Sequence, residues 1–300
     1  MSLKQFDTLW VVWTGTMGAQ IALQSATHGY TVFMVDPAPH ALEKAAERQR
    51  EELDARIGRG EITSETADEI RKKIRFPSSM NELSPPDLVI EAATENLEVK
   101  REIFKILDAI CPVYTLLASN SSSIKISAIE SATKRPDRVL NLHFYNPVWQ
   151  RPVVELMRGT ATSDETIETA RRFARSIGVT PLMVLKESTG FLFNRVWRAI
   201  KKECLHLVDE GVASFEDVDR AWMIAFEQPM GPFGIMDRIG LNVVRDIEMT
   251  YYKESGDPSD TPPKLLLDKI EKGELGVKTG KGFYDYPHPA YENPDWLKGE

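Results

Sequence analysis

Cysteine is nearly missing from this chain. The 300 residues hold two, Cys111 and Cys204. Both sit among apolar neighbours and neither belongs to a CxxC pair, which argues against a disulfide framework and against a zinc site. Surplus positive charge is missing too: 37 Lys and Arg stand against 45 Asp and Glu, a formal net charge of −8. Nucleic-acid and membrane-surface proteins want a cationic face, so neither kind of partner is expected. No apolar run approaches the roughly 20 residues of a membrane span. Met1–Asp7 lacks the basic and apolar regions of a signal peptide, so a cytoplasmic location is expected. Internal repeats and low-complexity segments are also absent. What remains is ordinary globular material, 42% hydrophobic and 27% charged, enough for a core of normal size.

The first half alternates between two periodicities. Thr8 to Val12 is apolar and β-branched and reads as a buried strand. Thr14-Gly15-Thr16-Met17-Gly18 breaks it, and Ala19 to His28 looks helical. Gly29 caps that helix, and Thr31 to Val35 forms a second strand that Asp36 ends. A strand–turn–helix–strand unit of about 30 residues favours a parallel sheet. Pro39 to Arg75, interrupted at Gly58, Gly60 and Thr63, predicts a charged helical hairpin. Further strands are expected at Leu88–Ala92, Tyr114–Ser119, Val139–Phe144, Val153–Met157 and Thr180–Leu185. Helices are expected at Val99–Ile110, Ile124–Ser131 and Asp164–Ser176. The pattern predicts an α/β, Rossmann-like doubly wound domain over 1–187. From Phe191 the periodicity is helical with proline breaks, so an all-α domain is expected over 188–300.

The turn after the first strand is a dinucleotide fingerprint with one member replaced. G-x-G-x-x-G is here Trp13-Thr14-Gly15-Thr16-Met17-Gly18. Gly15 lets the backbone approach a pyrophosphate, and Gly18 lets the helix pack closely on the strand. Thr16 and Met17 open the helix whose free N–H groups face the negative charge. Asp36 lies where an acidic side chain takes the adenosine ribose, and its charge repels a 2′-phosphate, so NAD is expected rather than NADP. Trp13 stands at the tight-turn glycine. Its ring either points away from the cofactor or crowds the pyrophosphate. The second glycine-rich run, Gly276 to Gly282, misses the phosphate-loop spacing and no strand leads into it, so it reads as a loop before a packed Phe283-Tyr284 segment.

A resemblance is carried by motifs in order: Ser119-Asn120-Ser121-Ser122-Ser123, His143-Phe144-Tyr145-Asn146-Pro147-Val148, Glu155, Gly190-Phe191-Leu192-Phe193-Asn194-Arg195, Pro229-Met230-Gly231-Pro232-Phe233 and Lys278 to Tyr284. Over nearly its whole length the chain resembles the L-3-hydroxyacyl-CoA dehydrogenase family, in particular its 3-hydroxybutyryl-CoA dehydrogenase branch. The chemistry accounts for the residue types. Oxidising an alcohol removes a hydride from carbon and a proton from oxygen, and a histidine near neutrality suits the proton. His143 ends a predicted strand, Glu155 can accept its other ring N–H and fix the tautomer, and Ser122 and Asn194 can bond the substrate oxygens. Taken singly, these residues also read as a structural histidine, a solvated charge and a helix cap. The resemblance further implies Glu95 and Lys100 near the nicotinamide ribose and Asn120 near the nicotinamide; a charged helix start is the plain alternative for Glu95 and Lys100.

The resemblance also implies an acyl-CoA substrate, a place in fatty acid metabolism and a homodimer formed by the helical domain. CoA phosphates would lie near the hairpin, where Arg48, Arg50, Arg56, Arg59, Arg71, Lys72, Lys73 and Arg75 face comparable numbers of Glu and Asp. An exposed salt-bridged hairpin explains the same residues. Trp149-Gln150-Arg151-Pro152 and Trp197 flank the motif segments and can reshape the acyl pocket or simply pack. Leu205, Val208, Val212, Met236, Ile239, Leu241 and Val244 can make a dimer face or the domain's own core. Two alternatives stand beside the acyl-CoA reading: a dehydrogenase of a free 3-hydroxy acid such as gulonate or carnitine, and a cofactor-impaired binding or structural relative on account of Trp13.

Overall fold

Strands without a polar face fold only where helices cover both sides of a sheet. The computed structural model describes residues 6–299; of the Met1–Asp7 segment, residues 1–5 lie outside the described residues. Two compact units divide between Leu192 and Phe193.

The first unit runs β1 (Thr8–Val12), α1 (Thr16–Thr27), β2 (Thr31–Val35), α2 (Pro39–Gly58), α3 (Ser64–Lys73), β3 (Ile74–Arg75), β4 (Leu88–Glu91), α4 (Leu97–Ile110), β5 (Leu116–Ser119), α5 (Ser127–Glu130), β6 (Val139–Phe144), β7 (Val153–Arg158), α6 (Asp164–Ser176) and β8 (Thr180–Val184). The strands form one sheet in the order β3-β2-β1-β4-β5-β6-β7-β8. From β1 the chain steps outward to β3, then returns to lay β4 on β1's other side. Connections therefore leave the carboxyl ends of β1 and β4 in opposite directions, opening the crevice where doubly wound sheets bind ligands. Leu9, Ile21, Met34 and Ile90 pack on one face, with α1 and α6. Trp10, Val12, Phe33, Val89 and Phe104 pack on the other, with α4.

The expected alternation of strand and helix fails twice. No α-helix separates β3 from β4, and after β6 the chain crosses a loop, 145–152, and returns as β7 antiparallel to β6, with no helix between them. The two-residue β3 was not expected, being too short to show a periodicity. Asn96, Thr63 and Ser163 accept the first free N–H groups of α4, α3 and α6, which fixes where these helices begin. No side chain caps α1, which starts from Gly15.

The second unit is helical: α7 (Phe193–Asp209), α8 (Phe215–Phe226), α9 (Pro232–Ile239), α10 (Leu241–Ser255) and α11 (Lys264–Glu271). Leu205, Met236, Leu241 and Val244 belong to its own core with Phe233, Phe283 and Tyr284, whereas Val212 and Ile239 stay exposed. Two buried carboxylates organise its glycine motifs. Asp219 accepts the N–H groups of Phe233 and Gly234 and the Tyr284 hydroxyl. Asp237 accepts those of Phe283 and Tyr284 and the Tyr286 hydroxyl. A Cβ on Gly231 or Gly282 would fall 2.4 Å or 2.1 Å from these carboxyl groups. The run Gly276 to Gly282 is thus a loop packed against a carboxylate. No helix among the described residues is long and apolar enough to cross a membrane.

Candidate active site

Antiparallel pairing of β6 and β7 sets His143 directly opposite Glu155. Side chains so placed share a face with Cβ atoms about 5 Å apart. His143 Nδ1 lies 2.7 Å from Glu155 Oε2, and Nε2 lies 3.1 Å from the Ser122 hydroxyl. Glu155 is fully buried and His143 nearly so. A buried carboxylate must have its lone pairs filled. Glu155 meets that demand with His143, with the Leu192 N–H, 2.9 Å from its Oε1, and with the Tyr145 hydroxyl. Burial, reinforced by the Glu155 charge, pushes the Tyr145 hydroxyl well above its ordinary pKa, so it stays a donor. Glu155 can only accept while the Ser122 hydroxyl can also donate, so the hydrogen of neutral His143 belongs on Nδ1, leaving Nε2 free to accept a proton. The Phe191 ring packs 5.1 Å from the imidazole, centroid to centroid, and limits its rotation. Tyr145 and Leu192 both fall in motifs visible in the sequence, but nothing in their spacing marks them as Glu155's donors.

Ser122 is held from behind. Glu95 accepts the Ser121 hydroxyl at 2.7 Å and the Ser122 N–H, fixing the loop after β5. Beneath it Lys100 is enclosed rather than displayed: its ammonium, fully buried, bonds Glu91 at 2.7 Å and lies 3.9 Å from Glu95. Glu91 also takes the Ser119 hydroxyl and the Ala93 N–H. Lys100 is thereby tied to the site through Glu91 and the 93–95 loop. Asn120 accepts the Phe144 N–H at 2.9 Å and ties the tips of β5 and β6 together beside His143. Asn194 belongs to the second unit, in the first turn of α7.

The turn after β1 fits a dinucleotide. A Cβ on Gly15 would meet nothing within 4 Å, so the space over the uncapped start of α1, at Thr16 and Met17, is open to a phosphate. A Cβ on Gly18 would come within 2.2 Å of the Trp13 carbonyl, the close approach the third fingerprint glycine permits. Asp36 accepts the Thr14 N–H and hydroxyl at 2.8 and 3.1 Å and the Ala38 N–H at 2.9 Å. An ionised carboxylate has about four lone-pair sites, so a ribose hydroxyl can still be taken. Trp13 itself adopts φ 70°, the left-handed region that glycine enters freely and a tryptophan rarely. Its indole is half-buried against the α4-side core, not over the start of α1.

The two halves of the site are braced. Gln20 of α1 accepts the Val148 N–H at 3.0 Å and donates to Asn146 at 2.9 Å, joining the cofactor helix to the loop that follows His143. A cleft of about 290 Å³ lies beside it, lined by Thr16, Gln20, Arg48, Gln49 and Trp149 among others. The Arg56 guanidinium sits 5.0 Å over the Trp149 ring and bonds Glu52 at 2.9 Å.

The sequence model of the 3-hydroxyacyl-CoA dehydrogenase NAD binding domain matches residues 8–188, and that of its C-terminal domain matches 190–286. A probable 3-hydroxybutyryl-CoA dehydrogenase of Bacillus subtilis is 38% identical over 95% of this chain and 98% of its own. The crystal structure of (S)-3-hydroxybutyryl-CoA dehydrogenase from Ralstonia eutropha superposes with a TM-score of 0.89 at 35% identity, covering 95% of this chain and all of that one. A diketoreductase described as acting on dicarbonyl compounds superposes at 0.83 with 32% identity, over 94% of this chain and all of its own.

Proposed function

Because the chain belongs to the 3-hydroxyacyl-CoA dehydrogenase family and is an NAD-dependent oxidoreductase, we propose that it oxidises a short-chain 3-hydroxyacyl-CoA to the 3-oxoacyl-CoA, with His143 as acid/base. The observation that carries this reading is the imidazole held at 2.7 Å by Glu155 with its other nitrogen turned toward Ser122. Nε2 takes the hydroxyl proton, and the imidazolium that results is stabilised by the carboxylate behind it. Ser122 bonds the substrate oxygen, and Asn194 is given the same role. NAD, when bound, accepts the hydride. Gly15, Thr16, Met17, Gly18 and Asp36 hold its adenosine and pyrophosphate end. Glu95 and Asn120 shape the nicotinamide end, with Lys100 behind Glu95. A cytoplasmic homodimer is the assembly this reading takes.

A second reading, a free 3-hydroxy acid as substrate, draws on the hairpin. Over residues 39–75 nine cationic side chains face nine acidic ones, and Arg56, Arg59, Arg71 and Lys72 are paired within it. No net positive charge is left there for CoA phosphates. We favour the thioester. A substrate panel with acetoacetyl-CoA, gulonate and carnitine decides: turnover of the CoA ester alone is expected, and turnover of an acid without the ester would overturn the choice.

A further inference from the structure

We propose that Trp13 is the platform on which the cofactor's adenine stacks, so that the residue replacing the fingerprint glycine is a binding residue and not an obstruction. The inference rests on the reading of the β1–α1 turn as the NAD site.

Position is the first argument. The Trp13 N–H donates to Val35 at the end of β2 at 2.8 Å, and the Ala92 N–H after β4 donates to Val12 at 2.9 Å. Trp13 therefore stands at the mouth of the crevice, one residue before Thr14, which holds Asp36. In a dinucleotide fold the adenosine half lies beside that acid. Direction is the second. The indole packs on the α4-side core with Trp10, Val12 and Phe33 and leaves the start of α1, where the pyrophosphate goes, unobstructed. The neighbours are the third. After β2 and β4 come Asp36, Pro37 and Ala38, and Ala92 and Ala93, so beyond Asp36 the loops around the half-buried indole carry no large side chain that would have to move for a flat ring.

The backbone adds a fourth argument. Trp13 holds a left-handed φ of 70° that glycine would adopt without strain, and outliers of this kind collect at ligand clamps. Its carbonyl lies close against Gly18, its N–H is bonded to Val35 and its side chain packs on the α4-side core, so the indole is held from both sides. An aromatic face recognises adenine by its π-surface and needs no hydrogen bond to the base edge.

The test is calorimetric titration of the full chain, wild type, Trp13→Phe, Trp13→Leu and Trp13→Asn, with NADH and with ADP-ribose, which lacks the nicotinamide. Phe and Leu keep the apolar bulk and the same backbone demand; only Phe keeps the flat face. Asn tolerates the left-handed backbone and serves where Leu fails to fold, which thermal melting shows. Base–aromatic stacking predicts that Leu and Asn weaken both ligands about 10-fold or more, and Phe less than about 3-fold. Equal or tighter binding by Trp13→Leu and Trp13→Asn overturns the platform, as does a loss confined to NADH. Wild type that binds neither ligand at millimolar concentration overturns the NAD reading itself, a result distinct from unchanged binding in the variants.

Discussion

Replacing Glu155 with Gln keeps the shape of the site and removes one charge. The carboxylate sits 2.7 Å from His143 Nδ1, which puts the charge centres of carboxylate and imidazolium ~4 Å apart and, at an effective dielectric near 20, makes their attraction about 4 kcal/mol. Only the protonated imidazole benefits, so the term appears in the reaction and not in the resting enzyme. At 1.36 kcal/mol per factor of ten, its loss lowers kcat by about 1000-fold. A second effect acts the same way. The Leu192 N–H and the Tyr145 hydroxyl need an acceptor, so the Gln carbonyl turns to them and its NH2 faces Nδ1. That favours the tautomer with hydrogen on Nε2, the wrong nitrogen for taking a proton. Stability falls by about 1–3 kcal/mol, the cost of one imperfect buried hydrogen bond. Steady-state oxidation of the thioester, thermal melting and NADH titration give the three readouts: kcat down about 1000-fold, a modest fall in Tm, and cofactor affinity unchanged. A folded Glu155→Gln protein with kcat within about 3-fold of wild type, a difference under 1 kcal/mol, would refute the argument that this carboxylate stabilises His143.

The two fingerprint glycines are expected to separate in their effects. Gly15→Ala adds a methyl that meets nothing, so Tm should hold while NADH affinity drops; Gly18→Ala drives a Cβ to 2.2 Å from a backbone carbonyl and should lower Tm by itself. Asp260 accepts Lys202, Ser255 and Arg198, which hold its carboxyl well below the usual carboxylate range. A depressed folded pKa means that the unfolded chain binds the proton first, so this stabilisation is complete above the ordinary Asp range near 4 and is lost as pH falls below it. Asp260→Asn should lower Tm at neutral pH and flatten its decline between about pH 4 and 2, as followed by melting the chain across that range.

Much of this arrangement was legible in the residues because it is periodic or local. Apolar runs mark every strand but the two-residue β3, from Thr8–Val12 through Thr180–Val184, within a few residues, since burial on two faces leaves that signature. Gly15, Gly18 and Asp36 form one short stretch whose chemistry reads directly. His143 and Glu155 pair by type and resemblance, yet their register is not legible: Asn146-Pro147 and Pro152 mark a loop through 145–152, but not that the chain reverses there to lay the two side chains opposite each other. Glu155's other two donors were invisible for the same reason: Leu192 reaches it through the fold, not through spacing. Lys100 illustrates the opposite limit. A lysine in a charged helix start looks exposed in sequence, and only the buried Glu91 at the end of β4 explains why it is enclosed. Trp13 is anomalous in the sequence itself, but which way its ring turns depends on a backbone angle that no composition reports.

The central claim is that His143 moves the substrate proton while other residues hold the cofactor. Its most direct measurement is His143→Gln, assayed for thioester oxidation and titrated with NADH on the same preparation. The expected result is turnover reduced to background with NADH affinity and Tm essentially unchanged. A variant that binds NADH and oxidises the thioester at the wild-type rate would contradict the account.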